Sequence, residues 1–111
     1  MYNDFINSVK YYLGLYSYDT YIDIEFVEDL DAFGYCYGDE DMVYVEIKDN
    51  MSASDTMITI VHELTHALQL AQGREMEEDE AYGNEDVVMK KIRDDYYNSI
   101  MEYFDGVIDE N

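Results

Sequence analysis

Val61-His62-Glu63-Leu64-Thr65-His66 decides how the rest of this chain is interpreted, because it places two histidines four residues apart. It lies in a segment, from about Thr56 to Gln72, whose apolar residues recur at helical spacing. Side chains four apart on a helix differ by about 40° around its axis, so both imidazoles can reach one metal ion. His62 and His66 are also the only histidines in the chain. The motif predicts a zinc site with these two residues as ligands.

Glu63 lies between the histidine face and the apolar stripe of this predicted helix. The stripe consists of Met57, Val61, Leu64, Leu68 and Ala71. From its position, the Glu63 carboxylate could hydrogen-bond a metal-bound water without displacing either imidazole, as a general base must. We therefore expect Glu63 to be catalytic. The alternative is a chance pattern in an acidic helix, with both histidines as ordinary surface or core residues.

Length and composition predict one folded domain over residues 1–111. The chain is 48% hydrophobic and 15% aromatic, with thirteen tyrosines, which is enough apolar surface for a packed core. The single cysteine, Cys36, cannot form an intramolecular disulfide, and the chain begins with no signal-peptide pattern, so we expect a cytoplasmic protein. No apolar run approaches the roughly 18 residues that a membrane helix needs.

The charge of the chain excludes several classes of partner. Acidic residues outnumber basic residues 27 to 6, and the formal net charge is −21. Such a charge repels phosphate backbones and anionic lipids, so we expect neither nucleic-acid nor membrane binding. Solubility is the simplest reason for the acidity. Attraction of a basic peptide or protein, and imitation of the charge of a nucleic acid, are the alternatives.

Three stretches have the composition of β-strands. Thr20 to Val27 is rich in aromatic and β-branched residues with partial alternation. The runs Ala32 to Tyr37 and Met42 to Ile47 are joined by Gly38-Asp39-Glu40-Asp41, whose composition suits a turn between antiparallel strands. We therefore expect a small antiparallel or mixed sheet of about three strands.

Helices are predicted on both sides of these strands, giving an α+β fold. Asn3 to Leu13 has helical spacing, and the glycine after it is a natural end. Ser52, with Asp55 three residues later, resembles the N-cap of the motif helix. After a break at Gly73, helical composition resumes at Glu75 and continues toward Tyr103 as a long C-terminal helix.

The third ligand is expected near the start of this last helix. A catalytic zinc site commonly has three protein ligands, for example two histidines and a carboxylate. A short turn returns the chain antiparallel to the motif helix. If Ala81 packs against that helix, Glu77 and Glu78 share its face, whereas Glu80 is rotated by about 100°. We rank Glu78 first, Glu77 and Glu80 next, and Glu85 last. The alternative is a solvated, acidic helix start.

The two motifs together resemble those of a known enzyme family. His62-Glu63-Leu64-Thr65-His66 followed by Glu78-Asp79-Glu80-Ala81 resembles the gluzincin metallopeptidases, whose second motif has a glutamate three residues before an alanine. The strands before the motif helix are similar in layout to those of the ImmA/IrrE-type peptidases of bacteria and phages. The likeness covers about Ala32 to Glu85. It implies a minimal zincin-like domain.

Carried over by position, the resemblance also implies roles for individual residues. His62, His66 and Glu78 would bind one Zn²⁺, Glu63 would be the general base, and Met42 to Ile47 would be the edge strand that aligns an extended substrate. The spacing departs from the family pattern, because the gap between the second histidine and the glutamate is short.

Tyr82 is a second departure, since relatives often have Asp or Asn after the alanine of this motif. Its phenol could stabilise an oxyanion near the site, and core packing is the alternative.

These observations predict a zinc metallopeptidase that hydrolyses peptide bonds in a peptide or protein substrate, with a preference for basic or extended segments. The alternative function is an acidic binding or inhibitory protein on a zincin scaffold. It would use zinc structurally, or imitate the charge of a nucleic acid, and engage a basic protein partner.

Overall fold

The computed structural model of the chain describes the backbone of residues 2–109 and the side chains of residues 2–99 and 101. In chain order its elements are α1 (Asn3–Leu13), a short 3-10 helix (Leu15–Ser17), β1 (Tyr21–Val27), β2 (Gly34–Gly38), β3 (Met42–Lys48), α2 (Ala53–Ala71) and α3 (Glu78–Asp109). The predicted α+β class is confirmed, with an N-terminal helix, a three-stranded sheet and a long C-terminal helix.

β3 is the central strand of a mixed sheet whose order is β1-β3-β2. β2 pairs antiparallel with β3, so the predicted hairpin is confirmed, whereas β1 pairs parallel with β3. The expectation that Met42 to Ile47 forms the sheet edge is therefore wrong. β3 hydrogen-bonds to β1 on one side and to β2 on the other, and this central position shields its inward-facing Val43, Val45 and Ile47, which are at most 1% exposed. The edge strands are β1 and β2.

α2, which carries the histidine motif, packs its apolar stripe into the core under the sheet. Its predicted N-cap is confirmed, because Ser52 Oγ accepts a hydrogen bond of 3.1 Å from the backbone N–H of Asp55. Four of the five predicted stripe residues are buried and Met57 is partly buried; the buried four are Val61, Leu64, Leu68 and Ala71. The motif residues are thereby held on a rigid helix rather than on a loop.

The turn after α2 brings the start of α3 back beside the motif. Gly73 follows α2 with φ +72°, a left-handed conformation that glycine adopts without strain. α3 begins at Glu78, three residues later than the composition indicates, and continues through Gly83 without a break. Ala81 is fully buried, as expected for a small residue at a close helix contact. Although α3 has 32 residues, neither it nor any other described helix is apolar enough to cross a membrane.

Candidate metal centre

His62, Glu63 and His66 form a cluster that could hold a metal ion. One ligand-type atom from each of the three residues lies within 4.8 Å of the others. The two imidazole rings are 4.9 Å apart between centroids and nearly perpendicular. His66 and Glu63 are only 3% and 6% exposed, whereas His62 is partly buried. The predicted meeting of the two histidines on one face of a helix is therefore confirmed.

Glu78 is the acidic residue that both histidines face. One of its carboxylate oxygens lies 3.1 Å from Nε2 of His62, and the other lies 2.9 Å from Nε2 of His66. Glu78 is the first residue of α3, and its side chain is 63% exposed. The cluster is consequently walled by α2 on one side and accessible to solvent on the other.

The neighbouring acidic residues have other partners. The Glu80 carboxylate forms a two-oxygen ion pair with the Arg74 guanidinium at 2.9 and 3.2 Å, and this hydrogen bonding holds the pKa of Glu80 below its usual value. Glu77 contacts α2 through its backbone, which bonds to the Gln69 side chain. Neither carboxylate is found between the two imidazoles.

The second ring nitrogen of each histidine faces a side-chain oxygen. Nδ1 of His62 is 3.1 Å from Oε1 of Glu85, and Nδ1 of His66 is 2.9 Å from Oε1 of Gln69. An amide oxygen and an ionised carboxylate oxygen accept hydrogen bonds, so with these partners each Nδ1 is the N–H donor. In neutral imidazoles the Nε2 atoms then carry lone pairs, which point at the oxygens of Glu78. A positive charge placed between them, such as that of a metal ion, would make this arrangement favourable.

Glu63 lies on the inner side of the cluster, beside β2. It approaches Gly34 of β2 closely, because an added Cβ at Gly34 would be 2.9 Å from Cγ of Glu63. Burial raises the pKa of the Glu63 carboxyl above its ordinary value, and the two neighbouring imidazoles partly oppose that rise. The Glu63 carboxyl therefore holds a proton more strongly than a solvated glutamate does.

A cleft of about 370 Å³ opens next to the cluster, near the lower end of the range for ligand sites. Three large side chains with substantial exposure line it, namely Phe33 (58%), Ile58 (36%) and Tyr82 (59%). Asp55 also lines the cleft and forms no ion pair with any described residue. A larger groove of about 720 Å³ lies between α1 and β1, and it contains neither the histidines nor Glu63.

Tyr82 lies at this cleft and not in the core. Its ring is 4.8 Å from the His62 ring, edge to face, and more than half of the residue is exposed. The alternative of core packing is thus excluded for Tyr82. The predicted role of its phenol in stabilising an oxyanion stays a prediction.

Sequence reasoning missed Gln69 and Gly34, which the fold brings against the motif. Gln69 is fully buried in a mostly apolar helix, and a polar residue at such a position signals a specific hydrogen-bonding role. Gly34 lies within a strand, where glycine often marks the close approach of another backbone or side chain. The sequence suggests Glu85 only as a low-ranked ligand, whereas its carboxylate contacts Nδ1 of His62.

Comparison of the chain with protein-family models, with curated proteins and with solved structures gives no match. The part of the gluzincin resemblance that has structural support is the cluster of His62, Glu63 and His66.

Proposed function

We propose that this chain is a zinc-dependent metallopeptidase. The observation that carries the proposal is the convergence of Nε2 of His62, Nε2 of His66 and the Glu78 carboxylate, with the Glu63 carboxylate beside them. Two imidazoles and one carboxylate are a ligand set of catalytic zinc sites, which keep a further position open to water or substrate. The exposure of Glu78 is consistent with such an open position.

The spacing of these atoms also suits zinc. Ligand atoms about 2.0–2.1 Å from a tetrahedral ion lie roughly 3.3 Å from one another. The two distances from Nε2 to the Glu78 oxygens, 3.1 and 2.9 Å, are slightly shorter than this value. To admit the ion, the exposed Glu78 side chain would move outward.

The residues around the site have complementary parts in the reaction. A zinc ion held there would polarise the substrate carbonyl and lower the pKa of a water molecule toward about 7. Glu63 accepts the proton of the attacking water and passes it to the leaving amine. Glu85 and Gln69 keep Nδ1 of each histidine protonated, so that both Nε2 atoms remain available as ligands.

The free edge of β2 could align an extended substrate. The backbone N–H of Lys48 donates to the carbonyl of Phe33 at 2.8 Å. Because hydrogen-bonded pairs alternate along an antiparallel ladder, the backbone groups of Gly34 and Cys36 face away from β3. A peptide pairing with this edge would run beside Glu63 by β-augmentation. The role that the resemblance implies for β3 is therefore proposed for β2.

The cleft chemistry favours a basic side chain in the substrate. Phe33, Ile58 and Tyr82 offer apolar surface for an alkyl stem, and Asp55 offers a carboxylate without an ion-pair partner among the described residues. Lysine and arginine have this combination of stem and charge.

The experiment that tests the proposal compares Glu63→Gln with the wild-type protein. Both proteins should bind one zinc ion per chain, and hydrolysis of a mixed peptide library should fall by about 10²–10⁴-fold in the variant, as for loss of a general base. Glu25→Gln, at an exposed position of strand β1, is the matched control and should keep full activity. A zinc-loaded wild-type protein that cleaves no peptide, or a fully active Glu63→Gln protein, contradicts the proposal.

A binding function is the second candidate, favoured by the outer face of the sheet. There Tyr37 stacks on Tyr44 at 5.4 Å, beside the aligned carboxylates of Asp23, Glu25 and Glu46. Aromatic rings interspersed with carboxylates suit a basic protein surface. If this is the main function, partner binding should persist in Glu63→Gln and weaken when Tyr37 is replaced by Ala.

A further inference from the structure

The Gln69 side chain joins the motif helix to the residue that precedes Glu78. Gln69 is fully buried. Its Nε2 donates to the carbonyl of Glu77 at 3.0 Å, and its Oε1 accepts from the N–H of Glu77 at 2.9 Å. The backbone carbonyl of Gln69 also accepts from the N–H of Arg74 at 2.9 Å. One residue of α2 thus holds both ends of the segment that leads into α3.

The orientation of the Gln69 amide is determined by these bonds. A backbone N–H can only donate and a carbonyl can only accept, so the oxygen and nitrogen of the amide cannot be exchanged. The oxygen that faces Glu77 also lies 2.9 Å from Nδ1 of His66. That nitrogen must therefore be the donor, and Nε2 of His66 is left as the atom that faces Glu78.

We propose that Gln69 is a positioning residue that couples the metal-binding form of His66 to the placement of Glu78. The inference rests on the proposed metal site. A single oxygen sets which nitrogen of His66 is protonated, and the same amide holds the backbone of Glu77, one residue from Glu78. Two of the three proposed ligands are therefore placed by one side chain.

Other side chains cannot perform both tasks. Methionine has a similar length but would leave the N–H and carbonyl of Glu77 and Nδ1 of His66 without their buried partner. Glutamate can accept from both donors but cannot donate to the Glu77 carbonyl. His62 has a different partner. The Glu85 side chain is 22% exposed and, among the described residues, hydrogen-bonds only to His62.

The test measures zinc affinity in folded variants. Gln69→Met should lower zinc affinity by about 10–100-fold, as is typical for loss of an outer contact of a ligand. It should also increase hydrogen exchange at residues 77–80 in the metal-free protein, because their anchor is lost. Gln69→Glu should bind zinc much more tightly than Gln69→Met, because it restores both acceptor contacts.

Thr65→Val is the matched control for stability. Thr65 is also fully buried on α2 and contacts α3, because its hydroxyl accepts from the Asn84 amide at 3.4 Å. The same hydroxyl donates to the carbonyl of Val61 and forms no hydrogen bond to His62, His66 or Glu78. We expect Thr65→Val to lower the unfolding temperature while zinc affinity stays within about twofold of the wild type, a margin of roughly 0.4 kcal/mol.

The outcomes separate this inference from the proposed function. If folded Gln69→Met binds zinc as tightly as Thr65→Val does, the proposed coupling through Gln69 is overturned and the peptidase proposal is unaffected. If the wild type binds zinc normally but hydrolyses no peptide, the peptidase proposal is overturned. The zinc affinities of Gln69→Met, Gln69→Glu and Thr65→Val then still decide the role of Gln69. A wild-type chain that binds no zinc overturns both.

Discussion

Gly34 lies directly against Glu63: a methyl group on this glycine would be 2.9 Å from Cγ of the glutamate. It would also be 2.9 Å from Cγ2 of Thr59 and 3.0 Å from the carbonyl oxygen of Glu46. Each of these distances is shorter than an ordinary van der Waals contact, and one of the three atoms belongs to the backbone of β3. The absence of a side chain at Gly34 is therefore what allows the free edge strand to lie so close to the proposed general base.

Gly34→Ala should impair catalysis more than metal binding. The added methyl has to displace the Glu63 side chain or push β2 away from α2, and overpacking of this kind costs about 1–3 kcal/mol. We expect peptide hydrolysis to fall at least tenfold, while zinc affinity, measured by competition with a chelator, changes little. Gly83→Ala is the control, because a Cβ there meets no atom within 4 Å. Within α3 it should raise stability by roughly 0.5–1 kcal/mol. Equal activity of the two variants would count against a role for Gly34.

Glu78→Gln should weaken zinc binding, because a neutral amide oxygen is a poorer ligand than a carboxylate. The expected loss is at least the roughly 10–100-fold found for outer contacts of ligands. Glu77→Gln removes the same charge one residue earlier in the chain and should bind zinc nearly as well as the wild type. Isothermal titration of metal-free protein measures both. If Glu77→Gln or Glu80→Gln loses more zinc affinity than Glu78→Gln, the third ligand is that residue and not Glu78.

Asp55→Asn should remove a preference for basic side chains. The probes are two peptides that differ only in arginine or its neutral analogue citrulline at one position, bound to the zinc-loaded Glu63→Gln protein. Because Asp55 is exposed, we expect arginine to be favoured by roughly two- to fivefold, as for a solvent-accessible ion pair of 0.2–1 kcal/mol. The preference should weaken at high salt.

Asp19→Asn controls for the overall charge, since Asp19 is exposed in the loop before β1. If the Asp55→Asn protein still prefers the arginine peptide, and high salt removes this preference, the preference comes from the net charge of the chain and not from the cleft.

Cys36 should stay a thiol in the folded chain up to strongly alkaline pH. Burial, with a smaller contribution from the Glu63 carboxylate, raises the pKa of Cys36 to about 12 from an ordinary value of 9.0. Between these two values the unfolded chain releases a proton that the folded chain retains, so Cys36 lowers stability as the pH rises. The slope is about 1.4 kcal/mol per pH unit.

The measurement compares urea unfolding of the metal-free wild type and Cys36→Ala from pH 8 to 11. As the pH rises through this range, the free energy of unfolding of the wild type should fall relative to that of Cys36→Ala. A constant difference would show that the thiol ionises as readily in the folded state as in the unfolded state. In the folded wild type, alkylation of Cys36 by iodoacetamide at pH 8 should be slow.

Local features of the chain were predictable because short-range physics determines them. α1 begins and ends at the predicted residues, since its apolar spacing is helical and Gly14 takes the left-handed conformation at its end. The Ser52 cap and the β2–β3 hairpin follow for the same reason. The start of α3 was predicted three residues too early, because acidic composition alone does not distinguish Glu75 from Glu78 as a first helical residue.

The sequence by itself determined the motif helix, its buried stripe and the meeting of His62 and His66, because residues four apart on one helix must share a face. Only the tertiary structure decided that β3 is central, that Glu78 faces both imidazoles, and that Gln69 and Gly34 contact the motif. Strand order depends on pairing between distant segments, and one residue along α3 rotates a carboxylate by about 100°. Those positions follow from the geometry of the turn and the sheet, which no local pattern in the chain encodes.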